Sequence, residues 1–156
     1  MKTIYTQLIK QIQSKVPAVR WIDLNTGQLE VPFTDNQRPT VAYPCVLIDI
    51  AIDRTTALTD TLQECDSTIT LTIADDHPSR SSANTKPAPA LTEYELIADL
   101  YSALQGYTGN ADDKNGAEHF SPLNRTRQER LRSNTGLFLY RLTFTTSFID
   151  LSNQPQ

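Results

Sequence analysis

Two cysteines in 156 residues are too few for a disulfide framework, and Cys45 and Cys65 stand in no CxxC or other metal-ligand spacing. A chain of this length buries a core without a covalent staple, so both thiols are expected to be reduced. Histidine is equally sparse, with His77 and His119 alone, which leaves little material for a metal or acid–base centre. No apolar run approaches the roughly 18 residues that span a bilayer. The start, MKTIYTQLIKQIQSK, places Lys or Gln where a signal peptide needs an unbroken apolar stretch. No membrane partner is expected, and the protein is read as made and kept in the cytoplasm. Positive charge is not in excess either: 14 Lys and Arg face 18 Asp and Glu, for a net charge of −4. That balance excludes a generally basic nucleic-acid binder and confines any basic patch to a local cluster. The five glycines form no GxSxG elbow, P-loop or GxGxxG fingerprint.

What is present reads as one α+β domain over residues 1–156, since about 100–200 residues usually build one core. Ile4, Leu8 and Ile12 form the stripe of an amphipathic helix, flanked by Tyr5, Ile9 and Val16, with Lys2, Lys10, Gln11 and Lys15 elsewhere. Pro17 ends that helix at or before Val16. A short strand is expected from Ala18 to Leu24, before the turn signal Asn25-Thr26-Gly27. Val46, Ile48, Ile50 and Ile52 alternate with Leu47, Asp49 and Ala51, and Ile69, Leu71 and Ile73 alternate with Thr68, Thr70 and Thr72. These are neighbouring strands, the second oily on one face and hydroxylated on the other. Asp53 to Asp66 is too long for a tight turn: either the strands extend into it or it projects as a mobile loop, and we take it as a loop. Asp75 to Ala90, with Pro78, Pro87 and Pro89 and no bulky aliphatic residue, is a second mobile loop.

Thr92 and Glu95 make a T-x-x-E capping box and Leu91 with Leu96 a hydrophobic staple, opening a helix that runs through Ile97, Leu100, Tyr101 and Leu104 to a stop at Gly106. Phe120 to Ser133, the turn signal Asn134-Thr135-Gly136 and the alternation Phe138, Tyr140, Leu142, Phe144 and Phe148 read as a closing hairpin. Residues 151–156 read as a frayed tail. The expected architecture is a mainly antiparallel sheet of about four to five strands with two amphipathic helices on one face.

No catalytic, metal or cofactor-binding residue is expected. Asp75-Asp76-His77 and Glu118-His119 are explained as solvated loop residues, as are Asp112 and Asp113. Cys45, between Pro44 and an apolar strand, suits a small buried side chain, and the charges of Glu64 and Asp66 disfavour a thiolate at Cys65. The one unusual cluster is Arg125, Arg127, Arg130 and Arg132, with Glu129 among them. A strict strand would put 125 and 127 on one face and 130 and 132 on the other, and a bulge would regroup them. Two readings stand: a patch that meets a phosphate or an acidic partner surface, or an edge strand kept soluble by charge. Direct nucleic-acid readout is not expected, because no aromatic stacking platform accompanies the arginines.

The order of elements and the size resemble the tail-terminator or tail-completion proteins of long-tailed bacteriophages and the related head–tail connector family. The features that carry the resemblance are the helix ending at Val16-Pro17, the run Tyr43-Pro44-Cys45-Val46-Leu47-Ile48 opening the first long strand, and the Ser67 to Ile73 strand. The capped helix Thr92 to Gln105 and the closing strand Leu137 to Ile149 complete it. The resemblance implies a virion component assembled in the host cytoplasm, a ring homo-oligomer, often a hexamer, that caps the tail tube and meets tail-tube and head-connector proteins. It has no catalytic signature to match. On this reading the subunit interface draws on the hydroxylated face, with Thr68, Thr70 and Thr72, and on Arg141 with Arg125, Arg127, Arg130 and Arg132. The alternative is a small nucleic-acid- or phosphate-binding module using the Arg125–Arg132 cluster.

Overall fold

The computed structural model describes residues 1–30, 40–76, 89–109, 120–133 and 136–150. In chain order the elements are α1 (Lys2–Lys15), β1 (Trp21–Leu24), β2 (Cys45–Ala57), β3 (Gln63–Asp75), α2 (Pro89–Leu104), β4 (Asn124–Leu131) and β5 (Phe138–Asp150). The five strands form one sheet in the order β1-β2-β3-β5-β4. Every neighbouring pair is antiparallel except β1 with β2, whose parallel register sets Trp21 against Cys45 and Leu24 against Ile48. The sheet is therefore mixed, and mainly antiparallel as the alternation in the sequence predicts.

Alternation decides which residues meet the helices. Val46, Ile48, Ile69, Leu71, Ile73, Tyr140, Leu142 and Phe144 share one face, and they form a single cluster with Ile4, Leu8 and Ile12 of α1 and Leu96, Ile97, Leu100 and Leu104 of α2. Both helices thus cover the same face. Gln11 Nε2 donates to the Ala103 carbonyl at 2.8 Å, and the Tyr107 hydroxyl donates to Gln7 Oε1 at 3.0 Å, so the two polar residues of α1 that face inward are paired with the end of α2.

Helix α1 stops at Lys15, as Pro17 requires, and its Val16 N–H still donates to Ile12. Helix α2 begins at Pro89, one turn earlier than the capping box proposed at Thr92. Proline fits a first helical turn because the amide hydrogen it lacks has no intrahelical acceptor there. Leu91 therefore lies inside the helix, 55% exposed, and not at the position before the cap that a staple with Leu96 requires. At the other end Gly106 takes φ +77°, the left-handed geometry of a helix stop, and donates to Leu123, which steers the chain toward β4.

The loop expected over 53–66 is a correction. Strand continues to Ala57 and resumes at Gln63, leaving a short turn in which Thr59 Oγ1 accepts from the amides of Thr61 and Leu62. The alternation of β2 fails beyond Ile52 because the register shifts between Ile52 and Arg54, a bulge at Asp53 that flips the side-chain parity. Most of the loop proposed over 75–90 lies outside the described residues, as do the tail 151–156 and the turn at Asn134-Thr135. Its ends, Asp75 and Pro89-Ala90, belong to β3 and α2.

Candidate functional site

The sheet face turned away from the helices carries the polar residues singled out in the sequence. Thr68, Thr70 and Thr72 of β3 stand opposite Thr145, Thr143 and Arg141 of β5, and the row continues to Arg127 and Glu129 of β4. All three β3 threonines, Arg141, Thr143 and Thr145 are half-buried. Thr68 already donates its hydroxyl to Asp53 Oδ2, which ties the bulge of β2 to the sheet.

The arginines do not form one patch. A register shift between Arg125 and Arg127 makes Thr126 a bulge, so Arg125 opposes Phe144 and Arg130 opposes Tyr140, both on the helix side, while Arg127 opposes Thr143 on the other. On the helix side the Arg125 guanidinium lies 3.7 Å from the centre of the Tyr101 ring, and Arg130 stacks at 5.5 Å over Phe138. On the other side Glu129 bridges two arginines, Arg127 at 2.8 Å and Arg141 at 3.3 Å. Arg132 lies just beyond β4 and is exposed. The cluster is thus a rim of positive charge that wraps both faces of an edge strand.

The root of β4 is fixed to α2. Gln105 Oε1 accepts from the Arg125 amide at 3.0 Å, its Nε2 reaches Asn124, and the Leu123 amide donates to the Tyr107 carbonyl. At the opposite edge of the sheet β1 covers β2 only from Cys45 to Ile48, with Asn25 adding bonds to Ile48 and Asp49. From Ala51 onward every residue of β2 is exposed. The β2–β3 hairpin there is an arm that extends past the helices.

The acidic character of this arm is what the sequence reading missed. The arm carries Asp53, Asp60, Glu64 and Asp66 against Arg54 alone, all exposed, and shows apolar side chains at Ile52, Leu58 and neighbouring Ile149 that are 38–49% exposed. A local charge count over 53–66 was the signal that could have found it.

Cys45 is fully buried, and desolvation, with the nearby Asp75 charge adding to it, pushes its thiol up to about 11. Such a group is a packing residue at neutral pH. Cys65 is also buried, between exposed Glu64 and Asp66. His77, His119, Asp112 and Asp113 lie outside the described residues. Among the described residues no three His, Cys, Asp or Glu side chains gather as a metal site, and no helix is long and apolar enough to cross a membrane.

With this geometry in place, comparison with known proteins gives a likeness of fold. The chain superposes on a chain of a solved structure described as "Virion of native gene transfer agent (GTA) particle", with a TM-score of 0.59 and 10% sequence identity. The likeness runs end to end, covering 94% of this chain and 95% of the other. No protein-family model matches the sequence, and no curated protein matches it. At 10% identity the likeness establishes the architecture, which is shared as a whole and not through one common motif.

Proposed function

We propose that the chain is a structural subunit of a phage or prophage particle, a tail terminator or head–tail connector that forms a ring at the end of the tail tube and joins tail to head. The observation that carries this reading is the end-to-end likeness to a virion chain, 94% of one and 95% of the other, with no large inserted domain to supply a different activity. The geometry is consistent with it. A single sheet with two dissimilar, charged edges and one helix-covered face presents surfaces for self-association and asks for no chemistry. In this role the protein needs no cofactor and is not an enzyme; it assembles in the host cytoplasm and ends in the tail or neck of the virion.

The test is the solution mass of the purified protein across concentration, by light scattering, against the 17.5 kDa subunit. A discrete ring-sized species near six subunits, or a ring that forms when tail-tube protein is added, is the expected result. A strict monomer that also ignores tail-tube protein would sink the reading. The alternative, a phosphate- or nucleic-acid-binding module on Arg125–Arg132, is weakened by the pairing of Arg127 with Glu129 and the stacking of Arg125 on Tyr101. Titrations with DNA and RNA that stay flat at low salt remove it.

A further inference from the structure

The two edges of the sheet differ in a way that fits one copy of this chain to the next. We infer that subunits join head to tail, the acidic β2–β3 arm of one copy seated along the arginine-lined outer edge of β4 in its neighbour. This inference rests on the reading of the chain as a ring subunit and adds which surfaces meet.

Charge argues for it first. The arm bears four exposed carboxylates, Asp53, Asp60, Glu64 and Asp66, with one arginine. The β4 rim bears Arg125, Arg127, Arg130 and Arg132 with one carboxylate, Glu129, which already holds Arg127 and Arg141. Opposite charge on two different surfaces of one chain favours a contact between unlike patches and penalises arm against arm or rim against rim.

The backbone argues the same way. Beyond Ile48, β2 has β3 on one side and no strand on its other side among the described residues, and β4 has only β5. A strand edge of this kind presents a row of amide and carbonyl groups that a second strand can pair with. The stretches are well matched, Ile50–Ala57 on the arm and Asn124–Leu131 on the rim, and each contains a bulge, at Asp53 and Thr126. Leu58 at the arm tip, 49% exposed, supplies apolar surface for the contact to bury. The two edges lie on opposite sides of the sheet, so the contact is heterologous and each copy can engage two neighbours at once.

The experiment uses charge reversal on exposed side chains, of which only Arg130 touches a core residue, the Phe138 ring. One variant carries Asp60→Lys with Glu64→Lys on the arm, the other Arg130→Glu with Arg132→Glu on the rim. Circular dichroism and thermal midpoints confirm that both remain folded. Light scattering of each variant alone is expected to give the subunit mass under conditions where the native chain is a ring. Mixed in equal amounts, the two restore the ring mass, because each altered surface now meets its opposite on the other variant; a chain carrying all four changes reassembles by itself. A native ring whose mass is indifferent to the reversals, or variants that fail to rescue each other in the mixture, overturns the inference and leaves the ring reading standing. A native chain that stays monomeric both alone and with tail-tube protein added overturns both.

Discussion

At the scale of single residues, the fate of each arginine depends on which side of the Thr126 bulge it falls. Arg125 is half-buried with its guanidinium over the Tyr101 ring, where a cation meets the electron-rich face and loses less to solvent screening. Arg127 is 68% exposed and paired with Glu129, where water and salt cancel most of the attraction. Arg125→Ala should therefore destabilise the fold by about 1 kcal/mol, and Arg127→Ala by no more than a few tenths. Urea midpoints of the two variants check this, and equal midpoints would contradict it.

Cys45 gives a second prediction at the same scale. Its pKa is raised by burial from the ordinary value near 9 to about 11, so the folded state holds the proton more tightly than the unfolded chain does. The contribution to stability is complete below about pH 9 and is lost as the pH climbs toward 11. A thiol reagent at pH 8 should label Cys45 slowly in the native protein and quickly in urea. Cys45→Ala should flatten the fall in stability between pH 9 and 11, measured by denaturant melts. Rapid native labelling would show that the site opens more easily than its burial implies.

At the scale of elements, legibility followed the clarity of the period. The stripe Ile4, Leu8, Ile12 and the alternation from Phe138 to Phe148 each keep one period from end to end, and α1 and β5 stand where those patterns lie. β2 was readable only to Ile52, because the bulge at Asp53 exchanges the faces and the remaining residues, Arg54, Thr55, Thr56 and Ala57, have no buried side to mark. Strand structure there comes from pairing with β3, which sequence periodicity does not record. The rim was visible as a run of arginines, while its division between two faces depended on one extra residue in β4. The segment 53–66 was legible as two alternatives, extended strands or a projecting loop, and period alone did not choose between them; its acidic charge was countable but gains meaning only once the strands are known to extend.

The arm's exposure also makes it separable from the fold. From Thr56 to Glu64 no side chain is buried, and Thr55 lies directly opposite Cys65. Replacing residues 56–64 by Asn-Gly would close the same two strands with a two-residue turn whose backbone suits their twist. The shortened chain should keep its circular dichroism and melt within a few degrees of the native protein. A large loss of stability would mean that the arm contributes to folding and is more than a surface for contact.

At the scale of the whole molecule, joining an arm to a rim makes association directional, and a directional contact closes into a ring only if each step turns by a whole fraction of a circle. Because the contact is built on opposite charges, its strength should fall as the screening length drops from about 10 Å at 0.1 M salt to about 3 Å at 1 M. The ring mass should thus give way to the subunit mass across that range, and pairing held mainly by apolar surface would instead persist or strengthen. Direction has a further consequence. A subunit whose arm has been shortened keeps its rim, so it can accept a neighbour's arm, but without Asp60, Glu64 and the arm tip it offers the next rim a weakened contact. Added in small proportion to native chains, it should occupy growing ends and yield open arcs with fewer subunits than the ring, seen as a drop in mean mass steeper than simple dilution. Were the contact symmetrical, arm on arm, association would stop at a dimer, and the shortened chain would stay apart and leave the dimer mass unchanged.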